Sequence, residues 1–332
     1  MPKVSVLMPM YNSEKYIRKA IQSVLNQSFK DFELLILNDG STDGSKAIAL
    51  GYDDKRIKVL ENESNQGLAR TRNRLFAEAS GEYIAWLDSD DIALPERLRV
   101  QVDFLDKHPQ HAFVASWARI IDSEDEPTGN FIKSFIPNDY LFTLFLFVNY
   151  VVQSSVLLRK TMFPDTPYDL QFPPTEDYEL WVRIAQKHLI TILPMVLVDY
   201  RVHDSNISFT QNERASQTVQ MNHQAQLKRL GIITDPTMID LHYQIAFGNT
   251  EKITEEFIQK AEKWLLKIQE ANNQTHIYDK KALRYILAHR WTKICTTNPK
   301  LGITGLKYIF KSKLSRVTLQ NLGIIGQYLF KK

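Results

Sequence analysis

Three carboxylates, those of Asp88, Asp90 and Asp91, fall within four positions directly after a short apolar run. The run, residues 83–87, has the composition of a buried strand in a parallel sheet. Ligands of open α/β sheets bind beyond the carboxyl ends of the strands, so these carboxylates should lie where a ligand binds. Asp88 and Asp90 are two positions apart and can both turn toward one hard cation, such as Mg²⁺ or Mn²⁺. The alternative is a polar turn before a helix, since residues 95–96 are a Pro-Glu pair typical of a first helical turn.

A second polar loop follows the second predicted strand, where Asp39 opens a stretch rich in glycine, serine and aspartate. Such a loop permits close approach of the backbone to a ligand. Neither G-x-G-x-x-G nor G-x-x-x-x-G-K-[ST] occurs there, which disfavours a dinucleotide dehydrogenase or a P-loop ATPase. Phosphate would then have to be neutralised by a metal ion and basic side chains. Arg70, Arg72 and Arg74 line the polar positions of the helix predicted after residues 65–67.

The hydrophobic spacing predicts the elements that would position these loops. Strands predicted at 3–8, 32–37, 57–60 and 83–87 alternate with helices. This order is the mark of a doubly wound, mostly parallel sheet flanked by helices. Further strands are predicted at 112–121, 151–158 and 190–200, an acidic turn at 122–129, and helices at 95–107, 139–147 and 176–187. Beyond about residue 212 the patterning is helical, which predicts a C-terminal helical extension.

The bulk composition is that of an ordinary globular chain: 332 residues, 44% apolar and 24% charged. A single cysteine, Cys295, excludes an internal disulfide and fits a reducing compartment. The first residues are too short and too strand-like for a signal peptide, and the most apolar window, residues 140–158, is too polar for a transmembrane span. We therefore expect a cytoplasmic protein.

The basic residues are unevenly placed. Residues 280–332 hold 12 of the 41 Lys and Arg and no Asp or Glu, which leaves 29 basic and all 38 acidic residues in the rest of the chain. This predicts an anionic partner for the tail, and apolar residues at helical spacing among the lysines favour a helix in the interface of an anionic bilayer. These apolar residues are Leu306, Ile309, Phe310, Leu314 and Val317. The alternative is that the stripe packs on the rest of the chain, and nucleic acid is disfavoured because the acidic remainder would repel it.

Five motifs, in order, resemble those of family 2 glycosyltransferases, the inverting GT-A type enzymes that build bacterial surface polysaccharides. They are residues 4–12 (Val-Ser-Val-Leu-Met-Pro-Met-Tyr-Asn), 38–43 (Asn-Asp-Gly-Ser-Thr-Asp), 65–73 (Asn-Gln-Gly-Leu-Ala-Arg-Thr-Arg-Asn), 87–91 (Leu-Asp-Ser-Asp-Asp) and 176–177 (Glu-Asp). The resemblance covers residues 1 to about 210 and departs at Met10, where many relatives carry a small or polar residue. It implies a GT-A (Rossmann-like) domain over residues 1–212, with a nucleotide-sugar half at 1–115 and an acceptor half at 116–212. The helical extension would span 213–332.

Carried onto the matching positions, the resemblance implies roles for individual residues. Tyr11 would lie along the nucleobase, and Asp39 would accept a hydrogen bond from the ring N–H of uracil. Asp177 would be the catalytic base. The implied nucleotide-sugar contacts are Pro9, Tyr11, Asn12, Asp39, Asn65, Arg72, Asp88, Ser89 and Arg201. The implied ligands of Mn²⁺ or Mg²⁺ are Asp90, Asp88 and His203.

Each role has a structural alternative. Asp177 could be a helix N-terminal carboxylate favoured by the helix dipole. Asp39 could be a turn-forming residue, and His203 an ordinary loop histidine. Phe142, Phe145 and Phe147 are interpreted as core rather than as a lipid groove.

The resemblance predicts a metal-dependent inverting transferase that moves a hexosyl or N-acetylhexosaminyl group from a UDP-sugar. The acceptor would be a hydroxyl of a glycan or of a lipid-linked saccharide, at the inner face of the cell membrane. Such a displacement needs a base for the attacking hydroxyl and an electrophile for the departing diphosphate, so two separate acidic sites are expected. A sugar nucleotidyltransferase is disfavoured because its Gly-rich, Arg-bearing entry loop is missing. An inactive sugar-nucleotide-binding or scaffold protein of the same fold should have a broken D-x-D or lack the base, and both are intact here.

Overall fold

The computed structural model describes residues 1–204, 206, 210–248, 253–298, 301–315 and 319–330, with the backbone alone at 319, 320 and 327–330. Contacts divide the chain into two compact units. The sheet unit consists of residues 1–138 and 150–218, and the helical unit of residues 139–149 and 219–332.

Within the described residues, the sheet unit contains one mixed sheet of nine strands. They are β1 (Val4–Met10), β2 (Phe32–Asn38), β3 (Ile57–Glu61), β4 (Tyr83–Trp86), β5 (Ile92–Ala93), β6 (His111–Ile121), β7 (Pro127–Ile132), β8 (Leu157–Arg159) and β9 (Leu189–Arg201). Their order is β3-β2-β1-β4-β8-β6-β9-β5, with β7 paired to β6. The first four strands are mutually parallel, as predicted, whereas β8 runs antiparallel to both of its neighbours. The predicted α/β sheet with a helical extension is confirmed.

Helices pack on this sheet because its central strands are apolar on both faces. The helices of the sheet unit are α1 (Ile17–Leu25), α2 (Ser45–Leu50), α3 (Leu68–Glu78), α4 (Arg97–Lys107) and α6 (Glu176–Ala185). The apolar positions of α1 and α4 join one buried cluster with β1, β2 and β4. The polar residues that follow β1, β2 and β4 are thereby left at one edge of the sheet.

Three predicted elements differ from the structure. The acidic turn is shorter than predicted, because β7 begins at Pro127 and pairs with β6. The strand predicted at 151–158 is a 3₁₀ turn at Gln153–Ser155 followed by the short β8. The helix predicted at 139–147 is only one turn, α5 (Leu141–Leu144). Its continuation fails because the next backbone carbonyls accept hydrogen bonds from side chains of the helical unit.

Side chains of the helical unit hold segment 139–149 by its carbonyl groups. Gln226 Nε2 donates to Phe145 O at 2.8 Å, and His242 Nε2 donates to Leu146 O at 2.8 Å. Trp264 Nε1 donates to His242 Nδ1 at 3.0 Å, which fixes the neutral imidazole with its proton on Nε2. Phe145 and Phe147 are buried, in agreement with their interpretation as core.

The helical unit is formed around segment 139–149 by long C-terminal helices. They are α7 (Asn212–Arg229), in which the unit boundary falls, α8 (Pro236–Phe247), α9 (Glu255–Thr275), α10 (Lys280–Thr297), α11 (Gly302–Lys311) and α12 (Leu319–Phe330). Among the described residues, no helix is both long and apolar enough to cross a membrane.

The tail differs from its prediction in two ways. Helix α10 is a core helix with buried residues such as Leu287 and Trp291, so the candidate surface cannot begin at residue 280. The prediction that the apolar stripe faces a membrane is wrong for two of its residues, because Ile309 and Leu314 are buried. The apolar side chains that α11 exposes are Ile303 and Phe310, at 74% and 68%. Val317 lies outside the described residues.

Candidate active site

The loops that follow β1 and β2 are bound to each other by short polar side chains. Asn12 Oδ1 accepts from Thr42 N at 2.8 Å, and Asn12 N donates to Ser41 Oγ at 3.0 Å. Asn12 has a φ of 47°, a left-handed conformation that asparagine tolerates. The next residue, Ser13, lies with its Oγ 2.7 Å from Ser89 Oγ in the D-x-D segment. Tyr11, just before this loop, leaves its ring half exposed beside it.

Asp39 is buried at the end of β2, and its carboxylate binds the backbone just before the first turn of α3. Oδ1 accepts from Asn62 Nδ2 at 2.6 Å and from Gln66 N at 2.8 Å, while Oδ2 accepts from Gly67 N at 3.0 Å. Asn65 also contributes, because its Oδ1 accepts from Gly67 N at 3.0 Å. Asp39 therefore has the turn-forming contacts of the structural alternative, and its contact with a nucleobase stays a prediction.

A buried guanidinium joins the D-x-D segment to the Glu-Asp pair. Arg72 Nη2 lies 3.1 Å from Asp88 Oδ1, and Arg72 Nη1 donates to Glu176 Oε1 at 2.8 Å. Arg72 and Glu176 are both buried. Burial alone would lower the pKa of Arg72, but the charges of Asp88 and Glu176 outweigh it and raise that pKa. The cation is therefore permanently charged and fixes Asp88 relative to the start of α6.

Asp177 lies next to this ion pair, in the first turn of α6. Its Oδ1 accepts from Tyr178 N at 2.7 Å. Burial, followed by repulsion from the Glu176 carboxylate, raises the pKa of Asp177 to about 7. A carboxylate with a pKa near neutrality is a competent general base at physiological pH.

The loop before α6 is tied to α3 by the residue after Arg72. Asn73 Nδ2 donates to Tyr168 O at 2.8 Å, and Tyr168 N donates to Asn73 Oδ1 at 2.9 Å. The side-chain amide thus pairs with the backbone as a neighbouring strand would. The buried ring of Tyr168 lies 5.7 Å from the Arg72 guanidinium carbon. The two helices that carry Arg72 and Asp177 are therefore positioned by one shared set of contacts.

The second D-x-D carboxylate has a different partner. Asp90 Oδ2 lies 3.0 Å from His203 Nε2, and the His203 ring packs against Tyr16 with centroids 4.8 Å apart and planes inclined by 32°. Of the three predicted metal ligands, the structure brings Asp90 and His203 together and pairs Asp88 with Arg72.

Arg201 is fully buried at the end of β9 and holds the backbone around Asp90. Its Nε donates to Asp90 O at 2.7 Å, and its backbone N donates to Asp91 Oδ1 at 2.8 Å. Its Nη1 lies 2.6 Å from Asp125 Oδ1 in the acidic turn. Its Nε and Nη1 are thus bound by protein acceptors, and its predicted contact with the nucleotide-sugar stays a prediction.

An open cavity of about 410 Å³ lies beside His203. It is lined by Lys15, Tyr16, Asp122, Ser123, Val202, His203 and Asp204. The acidic turn that forms one wall is held by two ion pairs, Lys15–Glu124 just before α1 and Lys19–Asp125 within α1.

The residues present fit a divalent cation in part. Among the described residues, no group of three His, Cys, Asp or Glu side chains is placed to hold a metal ion. Asp90 and His203 supply one oxygen and one nitrogen donor. Two protein donors with the remaining positions taken by phosphate and water is a usual arrangement for Mg²⁺ and Mn²⁺ at nucleotide sites.

Sequence reasoning assigned no role to two residues of this site. In the sequence, Glu176 is only the neighbour of Asp177, and Asn73 is only the last residue of a motif. Two signals were available. Glu176 is an acidic residue beside the candidate base at the start of a helix, and Asn73 is an amide beside the motif arginine. Neither signal names a partner, because the partners are 104 and 95 residues away.

The chain is similar to known glycosyltransferases in sequence and in fold. The model of "Glycosyl transferase family 2" matches residues 5–163. An uncharacterized glycosyltransferase of Methanocaldococcus jannaschii is 34% identical over 210 residues, which is 60% of this chain and 71% of that protein. The Escherichia coli UDP-Glc:alpha-D-GlcNAc-diphosphoundecaprenol beta-1,3-glucosyltransferase WfgD is 33% identical over 207 residues, covering 62% and 79% of the two chains. The chain therefore belongs to glycosyltransferase family 2.

Two solved structures share the fold. Staphylococcus aureus TarS, residues 1–349 with UDP-GlcNAc, has a TM-score of 0.58 at 18% identity, covering 91% of this chain and 92% of TarS. The mannosyltransferase PcManGT of Pyrobaculum calidifontis, with GDP-Man and Mn²⁺, has a TM-score of 0.54 at 16% identity, covering 100% and 88%. The predicted GT-A architecture and the identification as a family 2 glycosyltransferase are confirmed.

Proposed function

We propose that this glycosyltransferase moves a hexosyl or N-acetylhexosaminyl group from a UDP-sugar to an acceptor hydroxyl with inversion. The observation that carries the proposal is the arrangement of Asp177, Glu176, Arg72 and Asp88. A carboxylate of raised pKa lies beside a buried cation that is itself bonded to the D-x-D segment. A base and an electrostatic clamp are the two parts that a single displacement needs.

In this proposal, Asp177 takes the proton from the acceptor hydroxyl. The hydroxyl oxygen forms the new bond to the anomeric carbon, and the bond from that carbon to the diphosphate oxygen breaks with its electron pair on UDP. One displacement inverts the anomeric configuration, so no second carboxylate nucleophile is needed. Arg72 orients Asp88 toward the donor, and Glu176 keeps Asp177 basic by repulsion.

We further propose that Asp90 and His203 hold Mn²⁺ or Mg²⁺. When bound, such a cation neutralises charge on a departing diphosphate. The support is the contact between Asp90 and His203 and the Mn²⁺ in the structure of PcManGT. Arg201 would act through this pair, because it holds the backbone carbonyl of Asp90.

The acceptor is proposed to be a glycan or a lipid-linked saccharide. WfgD, the E. coli relative, acts on a diphosphoundecaprenol-linked sugar according to its name. A lipid-linked acceptor would require the enzyme to work at a membrane surface, which we place at the inner face of the cell membrane. The exposed Ile303 and Phe310 of α11, with Lys307, Lys311 and Lys313 nearby, are the candidate contact.

The decisive test of the proposal is the variant Asp177→Asn. An amide cannot accept the proton, so transfer should fall by about 10²–10⁴-fold. UDP affinity, measured by calorimetry, should stay near the wild-type value. Near-normal turnover would contradict the assignment, and a wild-type chain that fails to bind UDP with or without Mn²⁺ would favour the inactive scaffold. A panel of UDP-sugars, assayed for hydrolysis without acceptor, would identify the donor.

A further inference from the structure

An exposed aromatic strip lies on β6, β7 and the segment after them. The strip consists of Trp117, Phe131, Lys133 and Phe135. Phe131 is 43% exposed and Phe135 is 67% exposed. Large apolar side chains clustered at the surface mark a binding surface more often than scattered ones do.

The four side chains contact one another and therefore share one face. Lys133 Nζ lies 3.8 Å from the Phe131 ring centroid and 5.3 Å from that of Trp117. The rings of Trp117 and Phe135 have centroids 5.4 Å apart and planes inclined by 62°. The rings of Trp117 and Phe135 thus pack edge to face with an ammonium group beside them, and Phe131 and Phe135 keep exposed ring surface.

The strip is held by backbone contacts. Trp117 Nε1 donates to Ser134 O at 3.2 Å, which ties the indole to the segment that carries Lys133 and Phe135. Phe131 is paired with Arg119 across the two strands. Rings that are already fixed lose little conformational entropy when a ligand binds.

We propose that this strip is an acceptor subsite that stacks the pyranose rings of a glycan. The proposal rests on the proposed function, since it concerns the acceptor of that reaction. The C–H faces of a pyranose carry partial positive charge and contact the negative faces of aromatic rings. The Lys133 ammonium supplies N–H donors for sugar hydroxyls at the same place.

The strip is continuous with the candidate active site along one hairpin. The turn between β6 and β7 provides Asp122 and Ser123 to the cavity beside His203. Trp117 is four residues before the end of β6 at Ile121, roughly 13 Å along the strand. This distance between the strip and the cavity is within the reach of a short oligosaccharide.

The charge of the same hairpin argues for a saccharide and against a membrane. The turn carries four carboxylates, those of Asp122, Glu124, Asp125 and Glu126. Lys15, Lys19 and Arg201 offset the charges of Glu124 and Asp125, so the turn presents no excess of basic residues that would attract an anionic bilayer. Sugar hydroxyls, in contrast, donate readily to carboxylates.

The test uses the full chain and three neutral hexasaccharides as probes: β-1,4-linked glucose, β-1,4-linked N-acetylglucosamine and α-1,6-linked mannose. Binding is followed by tryptophan fluorescence and by calorimetry. At least one hexasaccharide should bind, and the double variant Phe131→Leu/Phe135→Leu should weaken it by roughly tenfold or more. Phe135→Tyr keeps a ring and should stay within about threefold of wild type. The control Leu50→Ala, at an exposed leucine of α2, should bind like wild type.

The proposal is overturned if no hexasaccharide binds the wild-type chain, or if the double variant binds as well as wild type. It is also overturned if the double variant loses binding to anionic vesicles, since the occupant would then be a membrane. UDP titration of the same wild-type sample tests the proposed function separately. UDP binding without hexasaccharide binding would reject only the subsite, and hexasaccharide binding without UDP binding would reject only the proposed donor.

Discussion

At the scale of single residues, the site depends on the buried cation of Arg72. Arg72 is buried between Asp88 and Glu176, and it is bonded to both. Removing one member of a buried ion pair leaves an uncompensated charge, which is far more damaging than losing a surface pair. The same side chain thus has a structural role and a functional one.

We expect Arg72→Ala to lower the free energy of unfolding by about 3–5 kcal/mol, because it strands the Glu176 carboxylate. The matched control is Arg70→Ala, at an exposed position on the same helix, which should change stability by less than about 0.5 kcal/mol. Urea unfolding of both variants measures the difference. Equal effects would mean that the buried pair contributes nothing specific.

The pKa of Asp177 predicts how the reaction depends on pH. A base must be deprotonated to act, and its pKa in the free protein is raised to about 7. We therefore expect kcat/KM to fall about tenfold per pH unit below pH 7 and to level off above it. In Glu176→Gln the repulsion is removed, so the midpoint should move to lower pH. A wild-type midpoint near pH 4 would contradict the raised pKa.

Asp39 and Asp90 should differ in how they affect nucleotide binding. Asp90→Ala should weaken UDP binding only when Mn²⁺ is present, because its proposed role is through the cation. Asp39→Ala should weaken UDP binding with and without metal, since its proposed partner is the base and it also orders the start of α3. Calorimetry with and without Mn²⁺ separates the two. If both variants lost affinity only with Mn²⁺, the assignment of Asp39 to the nucleobase would be wrong.

At the scale of elements, segment 139–149 is held by neutral histidines. Burial lowers the pKa of His242 to about 4, and the pKa of buried His223 is lowered as well. Farther along the chain, burial also lowers the pKa of His289 to about 4. Because the unfolded chain binds these protons at a higher pH than the folded chain does, stability rises with pH through this range. The helical unit should therefore lose stability as the pH falls from about 6.5 toward 4.

Each such histidine contributes about 1.4 kcal/mol per pH unit between the unfolded and folded pKa values. His242→Gln should reduce the slope of the free energy of unfolding against pH by about 1.4 kcal/mol per pH unit, which corresponds to one proton fewer taken up on unfolding. His276→Asn is the control, because His276 is exposed and its left-handed φ of 54° suits asparagine. Urea unfolding between pH 4.5 and 7.5 gives the slopes. An unchanged slope in His242→Gln would mean that this histidine is charged in the folded protein.

At the scale of the whole molecule, the structure restricts which part of the basic tail can meet a membrane. Helix α10 is core, so a chain truncated at residue 279 would lose part of the helical unit along with the tail. Truncation after residue 298 leaves α10 in place and removes the exposed Ile303 and Phe310 of α11. This shorter deletion is the sharper test of docking.

We expect the full chain to float with anionic vesicles and not with neutral ones, and salt to weaken the binding. The chain ending at residue 298 should not float. The variant Ile303→Glu/Phe310→Glu should behave like the truncation, whereas Ile233→Glu, at an exposed isoleucine elsewhere in the helical unit, should float like wild type. Equal flotation of the full and truncated chains would exclude docking through α11.

The sequence by itself determined the parallel half of the sheet and the position of its loops. Apolar strands buried on both faces, such as β1 and β4, are recognisable because nearly all of their residues are apolar. The polar residues that follow them then lie at the strand ends. The motifs also identified the family. These features are local, so their signal is contained in a few neighbouring residues.

Only the tertiary structure decided which carboxylate pairs with which partner. Asp88 is bonded to Arg72 and Asp90 contacts His203, although the motif offers both aspartates as ligands of one cation. It also decided that segment 139–149 belongs with the C-terminal helices and that Ile309 is buried while Phe310 is exposed. Each of these outcomes depends on which distant segments of the chain pack together, and local spacing carries no information about such contacts.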